Sequence, residues 1–276
     1  MRNLELGNLS LTDTNLACYK NLKLRNLNHF ENFISRNHKI FNDCYYRGQQ
    51  QTAWKLEPSI FRKADNIWEK RRDALETHLR NFLLSARGKC SLSFPFEVPG
   101  TSEDEIQMKW WALGQHYGLK TPLLDFVLSP YVALFYSFEK KEEEHITERA
   151  IFILDMNRIH GLEGTNHFTE SNYIRRVDTL SHENARLIAQ KGELIYIPDN
   201  IEPKYRTIES SLESFYEKHF EAVGNEILLL KMILPSMDRQ SILQKCDQMN
   251  INRQTLFPDL TGASEYCNYL ISLHKG

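Results

Sequence analysis

The sequence predicts an α+β fold: a mixed or antiparallel central sheet flanked by several helices. Three observations predict it. Helical periodicity dominates both ends of the chain, short aliphatic and β-branched runs lie between, and strict strand–helix–strand alternation is absent, which disfavours a doubly wound sheet. The 276 residues, 41% hydrophobic and 25% charged, are of ordinary globular composition. That length suits one large domain or two small ones.

The elements follow in order. Leu27, Phe30, Phe33 and Ile34 fall at helical spacing, and Phe41–Tyr46 reads as a strand ending at Arg47-Gly48. Ile67–Ala86 reads as a helix whose Ile67, Ala74, Leu75, Leu79, Phe82 and Leu83 share one face. Ser102 with Glu105 forms a capping box for a second helix, which carries Ile106, Trp110, Leu113 and Tyr117 down one side. Gly118 is placed to stop it. Ser129 is an N-cap for a buried helix over Pro130–Phe138. Glu139–Glu144 reads as a solvated charge run, Ala150–Asp155 as a buried strand, and Ile188–Pro198 as strand–turn–strand around Gly192. Ile208, Leu212, Phe215 and Phe220 mark a further helix, and Asn225–Leu234 a central strand. Ser236 is expected to cap a helix carrying Ile242, Leu243, Cys246 and Met249, and the last helix holds Tyr266, Tyr269 and Leu270.

Composition excludes several function classes. A net charge of −2 gives no electrostatic argument for a nucleic-acid partner. Cys18, Cys44, Cys90, Cys246 and Cys267 are odd in number and without C-x-x-C spacing, so neither a disulfide framework nor a zinc knuckle is expected. Reduced thiols and a cytoplasmic location are the plain reading. Met1–Glu5 lacks the apolar core of a signal peptide, and no apolar run reaches about 18 residues, so no membrane span is expected. Dinucleotide-binding and NTP-binding glycine loops are absent.

Chemistry concentrates in two segments, Tyr45-Tyr46-Arg47-Gly48-Gln49 and Gly114–Asp125. An Arg at a strand end, beside a Gly that lets a ligand approach the backbone, suits an anionic ligand such as phosphate. Equally, Arg47 pairs with a buried carboxylate, Asp125 being the nearest candidate. His116 is a candidate general acid or base, with a hydrogen-bonded structural role as the alternative. Thr121, held extended by Pro122, offers a hydroxyl. Asp125 is either a catalytic carboxylate or the stabiliser of Arg47 or of a turn. Gln190 and Glu193 bracket Lys191-Gly192 and offer an amide and a charge, a simple hairpin being the alternative. Glu226 is a further carboxylate. Trp110-Trp111 reads as core, and the scattered His160, His167, His182 and His219 show no metal-ligand spacing. No metal is expected.

Together these segments resemble the FRG domain family. Tyr46-Arg47-Gly48 matches its naming motif, with Tyr in place of Phe, and Trp54 with Pro58-Ser59-Ile60-Phe61-Arg62 is similar to its next motif. Gln115-His116-Tyr117-Gly118, Thr121, Leu124-Asp125, Ser129-Pro130 and Ala133-Leu134 resemble its central block. Arg186, Ala189-Gln190-Lys191-Gly192 and Leu256–Gly262 resemble its later motifs. The resemblance spans about Leu27 to Leu270, with residues 1–26 as an N-terminal extension and 27–276 as a single globular unit. Glu193-Leu194 stand where the family has an aromatic.

The order of an Arg-Gly at an early strand, a Thr/Ser turn leading into an apolar helix, and a late strand with Gln or Glu is similar to the layout of ADP-ribosyltransferases. Here those residues are Arg47, Thr121 with Ser129, and Gln190 or Glu193. The resemblance implies NAD as substrate, with Arg47 on the pyrophosphate, Gly48 on the nicotinamide amide, Tyr117 stacked on its ring, and Glu193, Asp125 or Glu226 stabilising the cationic ribose. The activity implied is that of an NAD-dependent ADP-ribosyltransferase or NAD glycohydrolase, a toxin or phage-defence effector with an acceptor left open. The alternatives are a non-catalytic module for a nucleotide-like or phosphorylated ligand, and a metal-independent nuclease using His116.

Overall fold

A computed structural model describes residues 1, 3–14, 18–62, 71–89, 102–140, 146–161, 174–177, 185–197, 211–218 and 226–273. The chain opens with β1 (Leu11–Asp13), β2 (Tyr19–Lys23), α1 (Leu27–Arg36), α2 (His38–Phe41) and β3 (Cys44–Gln49). Then come α3 (Arg71–Ala86), α4 (Glu103–His116), β4 (Leu123–Val127), α5 (Pro130–Phe138), β5 (Glu148–Asp155) and α6 (Met156–His160). After these lie β6 (Arg175–Val177), α7 (Ala185–Gln190), β7 (Gly192–Tyr196), α8 (Leu212–Lys218) and β8 (Leu229–Pro235), followed by α9 (Arg239–Gln248), α10 (Arg253–Leu256) and α11 (Leu260–Leu273).

The strands form one sheet in the order β1-β2-β8-β5-β3-β4-β7-β6. All pairs are antiparallel except β2–β8, which is parallel. The fold is therefore α+β with a mixed sheet, as the pattern of elements predicts.

Alternation along the strands assigns every side chain to a face. On one face Cys44, Tyr46, Ile151, Ile153, Leu230 and Met232 pack beneath α1, α2, α5, α9 and α10. Farther along this face Leu123, Val177 and Leu194 meet Leu79 of α3 and Trp111 of α4. The opposite face buries Tyr45, Leu124, Phe126, Phe152, Leu154 and Ile195 against Phe215 and Tyr216 of α8. Each large apolar side chain so removed from water contributes about 1.5–3 kcal/mol.

Helix α5 lies where the site is built, and both its ends are fixed. Ser129 Oγ accepts from the Val132 N–H at 3.4 Å, with Pro130 in the first turn. At the other end Arg149, 1% exposed, donates to Ser137 O at 3.0 Å and Lys140 O at 3.4 Å. Arg239 donates to Phe138 O and Glu139 O, each at 2.9 Å. Two guanidiniums thus satisfy carbonyls left over at the negative end of the helix dipole.

Several elements differ from expectation. The early strand begins at Cys44 and runs through Arg47 to Gln49, because His38–Phe41 form a helical turn. Leu123–Val127, inside the segment read as a turn, is strand β4. Ala185–Gln190 is helical, and only Gly192–Tyr196 is a strand. Glu139 is not solvated: its carboxylate lies 3.2 Å from Arg253 Nε and is 13% exposed. Ser236 opens a 3-10 turn instead of capping a helix, and its Oγ accepts from Arg149 Nε at 3.3 Å. Residues 67–70, Ile208, Phe220, Cys90, His167, His182 and His219 lie outside the described residues. No helix among the described residues is long and apolar enough to cross a membrane.

Candidate functional site

β3 and β4 are neighbours in the sheet but pair only at Tyr46 and Val127, whereas β3 pairs with β5 along its whole length from Cys44 to Gln49. An opened ladder leaves backbone groups in need of partners. Arg47 supplies one: its Nη1 donates to the main-chain carbonyl of Asp125, and the guanidinium stands 3.7 Å from the Asp125 carboxylate. Arg47 Nε is buried without a hydrogen-bond partner among the described residues. Burial lowers the Arg47 pKa, Asp125 opposes the shift, and the nearby Arg62 reinforces it.

Asp125 links Arg47 to a chain of hydrogen bonds. Its Oδ1 accepts from Gln115 Nε2 at 2.6 Å, and Gln115 Oε1 accepts from the Thr121 hydroxyl. Thr121 Oγ1 also accepts from the Leu123 N–H at 3.3 Å. The Thr121 N–H donates to Ser59 Oγ at 3.0 Å, and Thr121 O accepts from the Ile60 N–H at 3.3 Å. Three motifs far apart in sequence, at 46–48, 58–62 and 115–125, are thereby tied together. The Asp125 side chain is 66% exposed, not buried as its apolar neighbours suggest. Asp125 alternates with Leu124 and Phe126 and so faces the same side of the sheet as Leu123 and Val127.

Gly48 makes room for a helix. A Cβ there would lie 2.0 Å from Ala133 O and 2.7 Å from Ser137 N, so the missing side chain lets α5 sit directly on β3. Gly118, at φ +86°, follows α4 in the left-handed region where glycine is favoured.

Glu193 projects to the face opposite Asp125, because β4 and β7 pair Asp125 with Leu194 and Phe126 with Glu193. It shares that face with Arg47, whose β5 partner is Phe152. Glu193 Oε2 lies 2.8 Å from Arg176 Nε, and its side chain is 13% exposed. Burial, with Glu193 second, raises the Tyr45 pKa on the same face.

His116 and Tyr117 end α4 in edge-to-face contact, centroids 4.9 Å apart, and Tyr117 is 73% exposed. Burial and then the Arg186 charge hold the His116 imidazolium below its ordinary pKa. The guanidiniums of Arg186 and Arg253 each lie 4.3 Å from the Phe257 ring centroid, a cation–π arrangement. Tyr136 meets the Phe257 ring edge-on at 6.2 Å, and its buried hydroxyl has no hydrogen-bond partner among the described residues. Gln190 Nε2 donates to Leu256 O at 3.0 Å, fastening α7 to α10.

Of the residues named from sequence, Arg47, Thr121 and Asp125 meet in one network. Ser129 caps α5 at the end of β4, Gln190 is turned to α10, and Glu226 pairs with Arg158 at 3.1 Å. Gln115, Ser59, Arg62, Arg176, Arg186 and Phe257 were not among the predicted site residues. Spacing alone hides Gln115, whose role depends on α4 ending so that positions 115, 121 and 125 converge. Arg176 is invisible in sequence because β6 pairs with β7 although helix α7 lies between them in the chain.

Residues 42–145 match the family model of the FRG domain. The matched span contains β3, the 58–62 turn, α4, β4 and α5, the elements that carry the Arg47–Asp125–Gln115–Thr121 network, and the chain carries an FRG domain. The motifs at 186–192 and 256–262 lie beyond the matched residues. No curated protein and no solved structure matches the chain.

Proposed function

We propose that this FRG domain binds NAD⁺ and breaks its nicotinamide–ribose bond, as an ADP-ribosyltransferase or NAD⁺ glycohydrolase acting as a toxin or phage-defence effector. The observation that carries the reading is the placement of Arg47 on β3, Ser129 at the end of β4 and Glu193 on β7, three neighbouring strands in the sheet. Arg47 and Glu193 share a face, and β3 and β4 part beyond a single bridge beside Arg47. In this reading Arg47 holds the pyrophosphate by charge-assisted hydrogen bonds. The C1′–N bond breaks with its electron pair leaving on nicotinamide, and the Glu193 carboxylate stabilises the cationic ribose until water or an acceptor adds. Tyr117 offers an exposed ring for stacking.

Incubation of the purified chain with NAD⁺, with chromatography of free nicotinamide, tests this. Release by the wild type and its loss in Glu193→Gln, which leaves a hydrogen-bond acceptor for Arg176, supports the reading. Absence of release together with no NAD⁺-dependent change in melting temperature overturns it.

A second reading, a binding module for a nucleotide-like or phosphorylated ligand, is favoured by one observation: Glu193 is already occupied by Arg176 at 2.8 Å. Binding of intact NAD⁺ without release is its signature. A metal-independent nuclease would draw on His116, whose charged neighbour is Arg186.

A further inference from the structure

The hydrogen-bond chain that ends on Asp125 runs outward, from buried to exposed. Thr121 is fully buried and Gln115 half-buried, while the Asp125 side chain is 66% exposed. Gln115 Oε1 can only accept, so the Thr121 hydroxyl donates to it, and that bond decides which way the amide points. The amide nitrogen is thereby turned to Asp125, where Nε2 donates to Oδ1 at 2.6 Å. The inner end is fixed as well: the Thr121 N–H donates to Ser59 Oγ at 3.0 Å, and Thr121 Oγ1 accepts from the Leu123 N–H at 3.3 Å.

Water alone would solvate an exposed carboxylate and leave it free to turn. Here a buried hydroxyl and an amide hold it in one orientation, which costs side-chain freedom and returns little stability at so exposed a position. Oδ1 is taken by Gln115. Oδ2 accepts no hydrogen bond among the described residues and stands 3.7 Å from Arg47 Nη1, beyond hydrogen-bond reach. Asp125 thus presents an oriented acceptor to the outside, beside a cation. A carboxylate so placed takes up hydroxyl groups of a ligand whose phosphate is drawn by the arginine, and the vicinal diol of a ribose is that pair of donors.

We propose that Asp125 is the carboxylate that reads the ribose diol of a nucleotide ligand, and that Gln115, set by Thr121, is its positioning residue. The inference rests on the nucleotide reading of the site and adds the group that separates a ribose from a sugar without the diol.

Isothermal titration of the full chain with ADP and with 2′,3′-dideoxy-ADP, repeated on Asp125→Ala, Gln115→Leu and the double variant, tests it. The wild type is expected to bind ADP about tenfold or more tightly than the dideoxy nucleotide, as a hydrogen bond to a charged group allows. Asp125→Ala removes a charge beside Arg47 and so shifts both nucleotides alike; the ratio of the two affinities is what reads the diol, and it is expected to fall to about one. Gln115→Leu is expected to lower the same ratio several-fold, and in the double variant to add nothing to Asp125→Ala. An amide with a merely structural role would weaken both nucleotides together and leave the ratio as it is. Equal binding of the two nucleotides by the wild type, or a preference that survives Asp125→Ala, overturns the proposal while the nucleotide site stands. A wild-type ratio in folded Gln115→Leu overturns the positioning role. Failure of the wild type to bind ADP and NAD⁺ overturns the nucleotide reading and the proposal with it.

Discussion

Arg47 bonds to the backbone of Asp125 and faces the carboxylate of the same residue at 3.7 Å. The two contacts have different worth. The carbonyl bond compensates a strand edge left open, whereas the ion pair ends on a carboxylate 66% exposed and weakened by solvent. Asp125→Asn keeps an acceptor for Gln115 and is expected to lower stability by less than about 1 kcal/mol. Arg47→Ala leaves the carbonyl unpaired and is expected to cost about 1–3 kcal/mol. Urea unfolding of the two variants checks the order, and equal losses refute it.

Gly48→Ala places a methyl group 2.0 Å from the Ala133 carbonyl oxygen. The obstacle is helix backbone, which cannot rotate aside, so α5 must lift from the sheet. The expected loss is about 3 kcal/mol or more, at the upper end of overpacking effects. A chemical denaturation midpoint within error of wild type would show that α5 does not sit on β3 as described.

His116 titrates below the ordinary imidazole value because burial, then Arg186, disfavours its charged form. Between the folded pKa and the unfolded value of about 6.5 the unfolded chain binds more protons, so this group makes stability rise with pH across that window and stay level above it. Arg186→Gln is expected to move the His116 NMR titration upward without restoring it fully, burial being the larger cause. An unchanged midpoint refutes the coupling.

Phe257 receives two guanidiniums at 4.3 Å. Phe257→Leu keeps an apolar side chain and removes both cation–π contacts, each worth about 0.5–2 kcal/mol. Hydrogen exchange in α7 is expected to accelerate, since Arg186 ties that helix to Phe257, just after α10, and Gln190 ties it to Leu256 at the end of α10. Exchange as slow as in wild type would assign the stacking no role in holding α7.

Much of the fold is readable in the sequence where the signal is local. The Ser102–Glu105 capping box opens α4, and the Ser129 cap with its following apolar run gives α5, because both depend on residues within one turn. β4 escapes notice because Pro122 stands just before it, Asp125 interrupts its apolar residues, and five residues are too few for alternation to show. Leu187 and Ile188 suggest a strand because a short apolar run does not distinguish strand from helix. At the site, Arg47 and Asp125 are foreseeable as partners. That Glu193 faces away from Asp125 is set by the β4–β7 register, which joins residues about 70 positions apart and leaves no trace in local pattern.

β8 pairs with both β2 and β5, and this has a consequence for how the molecule is made. Until Leu229–Pro235 is synthesised, β5 stands with one edge open, and its Ile151, Phe152, Ile153 and Leu154 invite pairing with a neighbouring chain. The finished sheet hides that edge completely. The hazard therefore belongs to nascent chains on crowded ribosomes, and a chain arrested before Leu229 is expected to aggregate where the full chain stays dispersed, a difference that sedimentation of the two products reads directly.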